Sequence, residues 1–343
     1  MSRSEIRLIL LSVLRINTAI MKRIPILYTL KTYLQTTLGM TTLALLVSTT
    51  LAQSKPNAFT IETFPVGSCP RGMVSDGVNL WVANLCDDTV SKLRASDGTL
   101  LGAFATGSPV SLAFDGANIW VTNVSADTVT KLRASDGALI GIYSVGFTRP
   151  HGIVFDGTNI WVVGDGDINK NVSELRGSDG TILASFDIGT APARIAFDGS
   201  DVWITDQIDH TVTELRVSDG TILGVHSVSS AYGITFDGIN IWVANNRGRT
   251  LTKFRASDGL LLGTFGKVRH PLNLTSDGAN VWTTPAMTVS FMSNLVSVLR
   301  TSDGRQRASF PVGTDPTDIY YDGASTWVTD DDTASVYKIT RTH

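Results

Sequence analysis

The sequence predicts an all-β fold, a seven-bladed β-propeller with four antiparallel strands in each blade. A segment of about 40 residues recurs seven times, the period of a radial array of small sheets. Asp-Gly turns separate short β-prone runs in every copy, and the two chain ends hold complementary parts of one unit. Each copy also carries one of the chain's seven tryptophans at the same point: Trp81, Trp120, Trp161, Trp203, Trp242, Trp282 and Trp327.

Each repeat reads as four strands, which blade one places at residues 70–75, 80–84, 89–94 and 99–104. The turns between them are Asp-Gly and Ser-Asp-Gly, where Asp bonds the turn backbone and Gly accepts a positive φ. We therefore interpret these aspartates as turn formers. The second strand is mostly apolar, which predicts an inner packed strand, whereas alternation in the third predicts a half-exposed outer one.

The ends of the repeat predict how the ring closes. The seventh copy runs out after its third strand, near residue 339, with no Ser-Asp-Gly turn. Residues 59–67 match the fourth strand of repeat six, residues 307–313, including its Phe-Pro-Val-Gly. We expect the N-terminal strand to complete blade seven, which would leave no open edge in the ring.

Residues 1–52 differ from the propeller, residues 53–343. They hold six basic residues and one acid, then an apolar run and small residues that predict a signal peptide cleaved after Ala52. Met21 is an alternative start, and an uncleaved membrane anchor is the competing interpretation. We expect a secreted, periplasmic or cell-surface protein.

Charge and composition limit the partners. Taking the leader's six basic residues and one acid from 28 and 31 gives the mature chain a net charge of −8. An acidic surface repels nucleic acid and anionic lipid. No apolar run after residue 52 is long enough to span a bilayer. We also expect the protein to be a monomer.

The residues also carry a family resemblance. Pro-His-Gly-Ile at 150–153, followed by Asp-Gly-x-Asn-Ile-Trp-Val, resembles the NHL and YVTN-type β-propellers and, more loosely, the streptogramin B lyases. The resemblance implies a propeller over residues 58–341. It also implies several possible activities, among them a lyase using His and Glu, and a lactonase holding a metal through Glu, Asn and Asp.

The acid and base residues fit an enzyme poorly. The glutamates of the mature chain, Glu62, Glu174 and Glu214, fall on predicted outer strands. No His or Ser motif of known catalytic spacing is present. If the protein is an enzyme, His151 at the channel mouth is the first candidate.

The channel mouth is the expected ligand site. Loops from the fourth to the next first strand and from the second to the third strand share one face. Two sets of side chains there could bind a ligand or cation, although capping of strand ends is the favoured interpretation of the second set. The first set is Arg71, His151, Arg194, Tyr232 and His270, and the second, three residues after a tryptophan, is Asn84, Asn123, Asp206, Asn245 and Asp330.

Insertions lengthen the loops between second and third strands in blades three and six. The blade-six insertion, residues 285–292, is apolar and suits either a binding edge or a loop folded on its blade. In blade three, Asp165, Asp167 and Asn169 resemble the first half of a calcium loop, without its glycine and final glutamate. We expect at best a weak Ca²⁺ site there, and an ordinary polar loop is the alternative.

Cys69 and Cys86 are the only cysteines and fall on one face of blade one. They predict a disulfide, with two free thiols as the alternative.

These features favour a secreted, non-catalytic binding module that presents one loop face to a protein, glycan or small ligand. The alternative is a lyase or lactonase-type hydrolase with an altered site, and a third is a structural extracellular module.

Overall fold

The computed structural model describes residues 59–165, 171–286 and 293–342. Their strands form seven antiparallel sheets of four, in the order first, second, third, fourth within each of blades one to six. The predicted all-β, seven-bladed fold is confirmed.

The first six blades each use four consecutive strands, and blade seven combines three C-terminal strands with the N-terminal one. The strands are, in blade one, β2 Pro70–Ser75, β3 Asn79–Asn84, β4 Thr89–Arg94 and β5 Leu100–Ala105; in blade two, β6 Pro109–Phe114, β7 Asn118–Asn123, β8 Thr128–Arg133 and β9 Leu139–Ser144; in blade three, β10 Pro150–Phe155, β11 Asn159–Gly164, β12 Val172–Arg176 and β13 Ile182–Phe186; in blade four, β14 Pro192–Phe197, β15 Asp201–Asp206, β16 Thr211–Arg216 and β17 Ile222–Ser227; in blade five, β18 Ala231–Phe236, β19 Asn240–Asn245, β20 Thr250–Arg255 and β21 Leu261–Phe265; in blade six, β22 Pro271–Ser276, β23 Asn280–Pro285, β24 Leu295–Arg300 and β25 Gln306–Pro311; and in blade seven, β26 Pro316–Tyr321, β27 Thr326–Asp330, β28 Ser335–Arg341 and β1 Phe59–Pro65. A short 3₁₀ turn, Leu85–Asp87, follows β3.

The first strands of neighbouring blades contact one another around the ring, and β26 contacts β2 to close it. These seven strands line a central channel. We call the end of the channel where the first strands begin the loop face, and the opposite end, with the Asp-Gly turns, the turn face.

The N-terminal strand closes blade seven as predicted. β1 pairs antiparallel with β28, from Phe59 opposite Arg341 to Pro65 opposite Ser335. The Phe64 ring packs against Trp327 and covers Gly98 of blade one. Phe59 stacks on Phe310 of blade six, with ring centroids 5.2 Å apart. β1 therefore links blade seven to both of its neighbours.

The repeated aspartate does more than form a turn. Asp115 Oδ1 accepts hydrogen bonds from the backbone N–H groups of Ala117 and Asn118, as expected of a turn former. Its Oδ2 accepts from the Trp120 indole. All seven copies repeat this indole bond, at 2.6–3.0 Å. Because a buried indole N–H needs an acceptor, one carboxylate both shapes the turn and fixes the core tryptophan.

The expectation of a half-exposed third strand is wrong. Third strands are buried almost throughout, and the exposed outer strand is the fourth. In blade one, Lys92 of the third strand is only 6% exposed. Its ammonium lies 5.0 Å from the Trp81 ring centroid and donates to Ala134 O and Ser135 O of blade two. Lys92 therefore points into the seam between blades one and two, where the next blade bonds it, whereas Ser91 accepts a hydrogen bond from Asn84 of its own blade.

No helix within the described ranges has the length and apolar character needed to cross a bilayer. The leader, residues 1–52, and Met21 lie outside the described residues, as does most of the blade-six insertion.

Candidate functional site

Polar side chains converge at the loop-face mouth of the channel from five of the seven blades. They come from the second and third residues of first strands, where each strand begins. The resulting cavity has a volume of about 150 Å³ and is lined by Arg71, Gly72, Arg194, Tyr232, Leu272, Asn273, Thr317 and Asp318. A second cavity of about 130 Å³ shares Gly72, Arg194, Asn273 and Asp318 and continues past apolar residues of all seven first strands.

Arg194 is the central cation of this cavity. It starts from β14 in blade four, and its guanidinium carbon lies 5.1 Å from the ring centroid of Tyr232 in blade five. Its Nε donates to Asn273 Oδ1 of blade six at 3.2 Å, and its Nη1 donates to the Ala193 carbonyl. Asn273 is itself fixed because its Nδ2 donates to Thr317 O of blade seven. The side chain is therefore held across three blades with part of its guanidinium facing the cavity.

Asp318 is the acidic member of the cavity. Desolvation in the channel raises the pKa of Asp318 to about 6, against the opposing attraction of Arg194 and Arg71. Among the described residues, its carboxyl forms no ion pair within 4.0 Å. A carboxyl with this pKa can accept or donate a proton near neutral pH, so it can serve as a hydrogen-bond donor or acceptor to a ligand.

Arg71 and Thr317 form the edge of the mouth next to blade seven. Arg71 Nη2 lies 3.0 Å from Asp331 Oδ2, and both side chains are partly exposed. The Thr317 hydroxyl donates to the Pro70 carbonyl at 2.9 Å and so joins blades seven and one beside the cavity. The Arg71 charge is partly neutralised, which leaves Arg194 as the stronger anion ligand.

His151 has the acidic partner that a general base requires. Its Nε2 lies 3.3 Å from Asp165 Oδ1, and Arg149 Nε lies 3.1 Å from the same oxygen. Burial lowers the pKa of His151, Asp165 opposes that shift, and Arg194 and Arg149 add to it. His151 Nε2 and Asp165 Oδ1 make an ion-pair contact without hydrogen-bond geometry, and a neutral imidazole beside a carboxylate can take up a proton. His151 lines neither cavity described above, and the same holds for His270, which precedes β22.

The predicted ring of Asn and Asp side chains is not available to a ligand. Asn84, Asn123, Asp206, Asn245 and Asp330 are at most 1% exposed. The asparagines donate to Thr and Ser hydroxyls on the third strand of their own blade. The aspartates accept from backbone N–H groups of adjoining loops. These residues cap strand ends, because each second strand ends inside the blade and its last polar groups need partners.

Cys69 and Cys86 are joined by a disulfide, with their Cα atoms 5.4 Å apart. It ties the loop that leads into β2 to the loop between β3 and β4. Both loops lie on the loop face beside Arg71, so the bridge stiffens one edge of the mouth.

The calcium prediction falls mainly outside the described residues, because Asp167 and Asn169 are not described. Asp165 is described and pairs with Arg149 and His151 as above. In the described ranges, no group of three or more His, Cys, Asp or Glu side chains is arranged to hold a metal ion.

Three polar cavity residues, Asn273, Thr317 and Asp318, were not predicted. Asn273 and Asp318 share one repeat position with Gly72, Gly152 and Gly233. Comparing the seven copies at that position would have revealed these two, because polar side chains there replace a glycine that faces the channel.

No protein-family model and no curated protein sequence matches the chain. Solved structures match the chain in fold. A catalytically inactive histidine-to-alanine variant of virginiamycin B lyase from Staphylococcus aureus, with quinupristin, aligns with a TM-score of 0.69 and 20% identity over 83% of this chain and 100% of that one. Hydrazine synthase from Kuenenia stuttgartiensis aligns with a TM-score of 0.70 and 16% identity over 80% and 96%. The U3-55K protein aligns with a TM-score of 0.71 and 11% identity over 82% and 98%.

Proteins this diverse share only an architecture, and identities of 11–20% carry no activity from one to another. The chain is a seven-bladed β-propeller similar in fold to virginiamycin B lyase.

Proposed function

We propose that the protein is a secreted β-propeller of the NHL and YVTN type that binds a small polar ligand at the loop-face mouth of its channel. The observation that carries this proposal is the cavity where Arg194, Asn273 and Asp318 meet beside Tyr232. Concave sites with a few convergent polar groups are where proteins bind small ligands. The disulfide supports an extracytoplasmic location, since such bonds persist in oxidising compartments.

The side chains favour a ligand that carries both an anionic group and hydroxyls. A guanidinium pairs with carboxylates, and the Arg194 guanidinium is already oriented by Asn273. Asp318 can bond a hydroxyl in either of its protonation states. The Tyr232 ring adds an aromatic wall of the kind that packs against a sugar face. An acidic sugar, free or within a short glycan, combines these features.

Calorimetric titration of the full chain with glucuronate, galacturonate and the neutral parent sugars tests this proposal. We expect the acidic sugars to bind more tightly than the neutral ones, and Arg194→Ala to remove that difference. Arg133→Ala is the matched control, because Arg133 is an exposed arginine on the turn face. Equal binding by wild type and Arg194→Ala, or no binding of any acidic sugar, would contradict the proposal.

A catalytic alternative is favoured by the His151–Asp165 pair. In that case the protein would be a lyase or lactonase-type hydrolase, with His151 as general base and Asp165 orienting it. Incubation with quinupristin and with simple lactones, followed by liquid chromatography and mass spectrometry, tests it. Turnover must disappear in His151→Ala and persist in His210→Ala, a histidine in a blade-four loop. Substrates that stay intact with wild type would argue against it.

A further inference from the structure

The seam between blades four and five is built differently from its equivalents. In four other blades a third-strand lysine donates to backbone carbonyls of the next blade: Lys92, Lys131, Lys253 and Lys338. Blade three has Glu174 at this position, blade six has Val298, and blade four has Glu214. An ionised carboxylate has no proton to donate, so it cannot bond to the carbonyls of the next blade.

Two more departures surround Glu214. Asp201 occupies the position that is Asn79, Asn118 or Asn159 in blades one to three, and His226 replaces a Phe or Tyr of the fourth strand. The His226 ring packs 5.7 Å from the Trp203 ring and 5.0 Å from the Phe254 ring of blade five. Three substitutions at one seam thus introduce two carboxyls and an imidazole.

Blade three shows how close these positions come. There Asn159 Nδ2 donates to Glu174 Oε1 at 2.6 Å. Asp201 and Glu214 occupy the same two positions in blade four, so the second carboxyl stands where blade three has an amide donor. Two carboxyls that face each other cannot both be ionised without cost.

Glu214 is buried at this seam, with 6% exposure. Its Oε2 lies 3.8 Å from His226 Nε2, and within the described part of the chain no hydrogen bond reaches its carboxyl. A Cβ added to Gly259 of blade five would lie 3.1 Å from the same oxygen, so the carboxyl abuts the neighbouring turn.

The surrounding charge is mostly negative. Burial first, then Asp201, Asp198 and Asp258, raise the pKa of Glu214 to about 7, whereas burial lowers the pKa of His226. The arginines that end the third strands on either side of the seam, Arg216 and Arg255, pair with Asp219 and Asp258, and Arg216 also attracts Asp201.

We propose that the seam between blades four and five is a proton-sensitive contact. A proton on the carboxyl pair keeps the seam packed, and its loss leaves two facing carboxylates, the buried one of Glu214 and the half-buried one of Asp201, that weaken the contact. This inference stands apart from the proposed ligand site and survives if that proposal fails.

The sign of the pH dependence follows from the raised pKa of Glu214. The folded state keeps this proton up to about pH 7, while the unfolded chain releases it near pH 4.5. Stability from this group is therefore full below about pH 4.5, falls as pH rises from there, and is lost by the time pH has passed 7. The lowered pKa of His226 acts in the opposite sense below its usual 6.5, so the test compares variants at one pH.

Thermal melting of the full chain at pH 4 and pH 8 tests the proposal with Glu214→Gln, which mimics the protonated acid. We expect the two proteins to melt together at pH 4 and wild type to melt roughly 2–4 °C lower at pH 8. Glu62→Gln, an exposed glutamate on β1, is the control and should change neither value.

A second variant keeps the test decisive if Glu214→Gln folds poorly. Asp201→Asn restores the amide of the sibling blades and should lose less stability than wild type between pH 4 and pH 8. A wild type that differs from Glu214→Gln by the same amount at both pH values, or an Asp201→Asn variant with unchanged pH dependence, would overturn the proposal.

Discussion

Replacing Phe64 with alanine should destabilise the whole ring, although Phe64 lies on a largely exposed strand next to the undescribed N-terminal residues. Phe64 is half-buried, with its ring 5.9 Å from that of Trp327 and against Gly98 of the next blade. Phe→Ala at a fully buried site costs about 3–5 kcal/mol, so a half-buried ring should cost about 2 kcal/mol. For a protein of this size, that loss should lower Tm by roughly 4–8 °C.

Blade one offers a matched comparison. Phe104 makes the same contacts inside the array, 5.5 Å from Trp81 and against Gly137. Urea unfolding followed by circular dichroism should give Phe64→Ala and Phe104→Ala similar losses. Glu62→Ala, in the same strand as Phe64 but exposed, should be neutral.

Unequal losses of stability in Phe64→Ala and Phe104→Ala would contradict the closure of blade seven by β1. If β1 does not complete blade seven, Phe104→Ala will cost about 2 kcal/mol and Phe64→Ala will cost nothing measurable. Deleting residues 59–66 extends the test, because it should expose the β28 edge and promote association. A deleted protein that melts with wild type as a monomer would refute the closure.

Three further predictions concern the loops and turns. The Cys69–Cys86 disulfide closes a loop of sequence separation 17, and its reduction should cost about 3 kcal/mol in the chain-entropy model; two thiols titrated in the unreduced, denatured protein would contradict it. Asp115→Ala should cost about 2–3 kcal/mol by leaving a buried indole N–H unpaired, and unchanged urea unfolding would count against that bond. Calorimetry at millimolar Ca²⁺ should show weak binding, with Kd roughly 10⁻⁴ to 10⁻³ M, that vanishes in an Asp165→Ala, Asp167→Ala variant; heat that persists there would place the ion elsewhere.

The architecture could be predicted from the sequence because the repeat supplies seven copies of the same information. The Asp-Gly turns predict where strands end, and the tryptophan period predicts the number of blades. The division of the last blade between the two chain ends predicts how the ring closes. The burial of third strands could not be predicted in this way. Alternation of polar residues such as Lys92 and Ser91 signals a solvent face only when no neighbour can bond them. Here the next blade bonds Lys92, and Asn84 of the same blade bonds Ser91.

The candidate site could be predicted only in part. Arg71, Arg194 and Tyr232 were expected at the channel mouth and do line its cavity. Asp318 was missed because a single carboxyl on an inner strand has no local motif. Its pKa depends on burial and on Arg194, which lies 124 residues earlier in the chain.

A residue that departs from the repeat has a different effect when it occurs alone and when a second departure lies beside it. In a ring where each blade contacts mainly its neighbours, a changed residue can be accommodated only within its blade or across one seam. Glu174 of blade three is accommodated within the blade, by Asn159. Glu214 is not, because the residue at the matching position is Asp201. At the channel end of the same seam, Arg194 of blade four stacks on Tyr232 of blade five. Blade four therefore departs from its siblings at both ends of one seam, and the internal repeat identifies those departures without any other sequence for comparison.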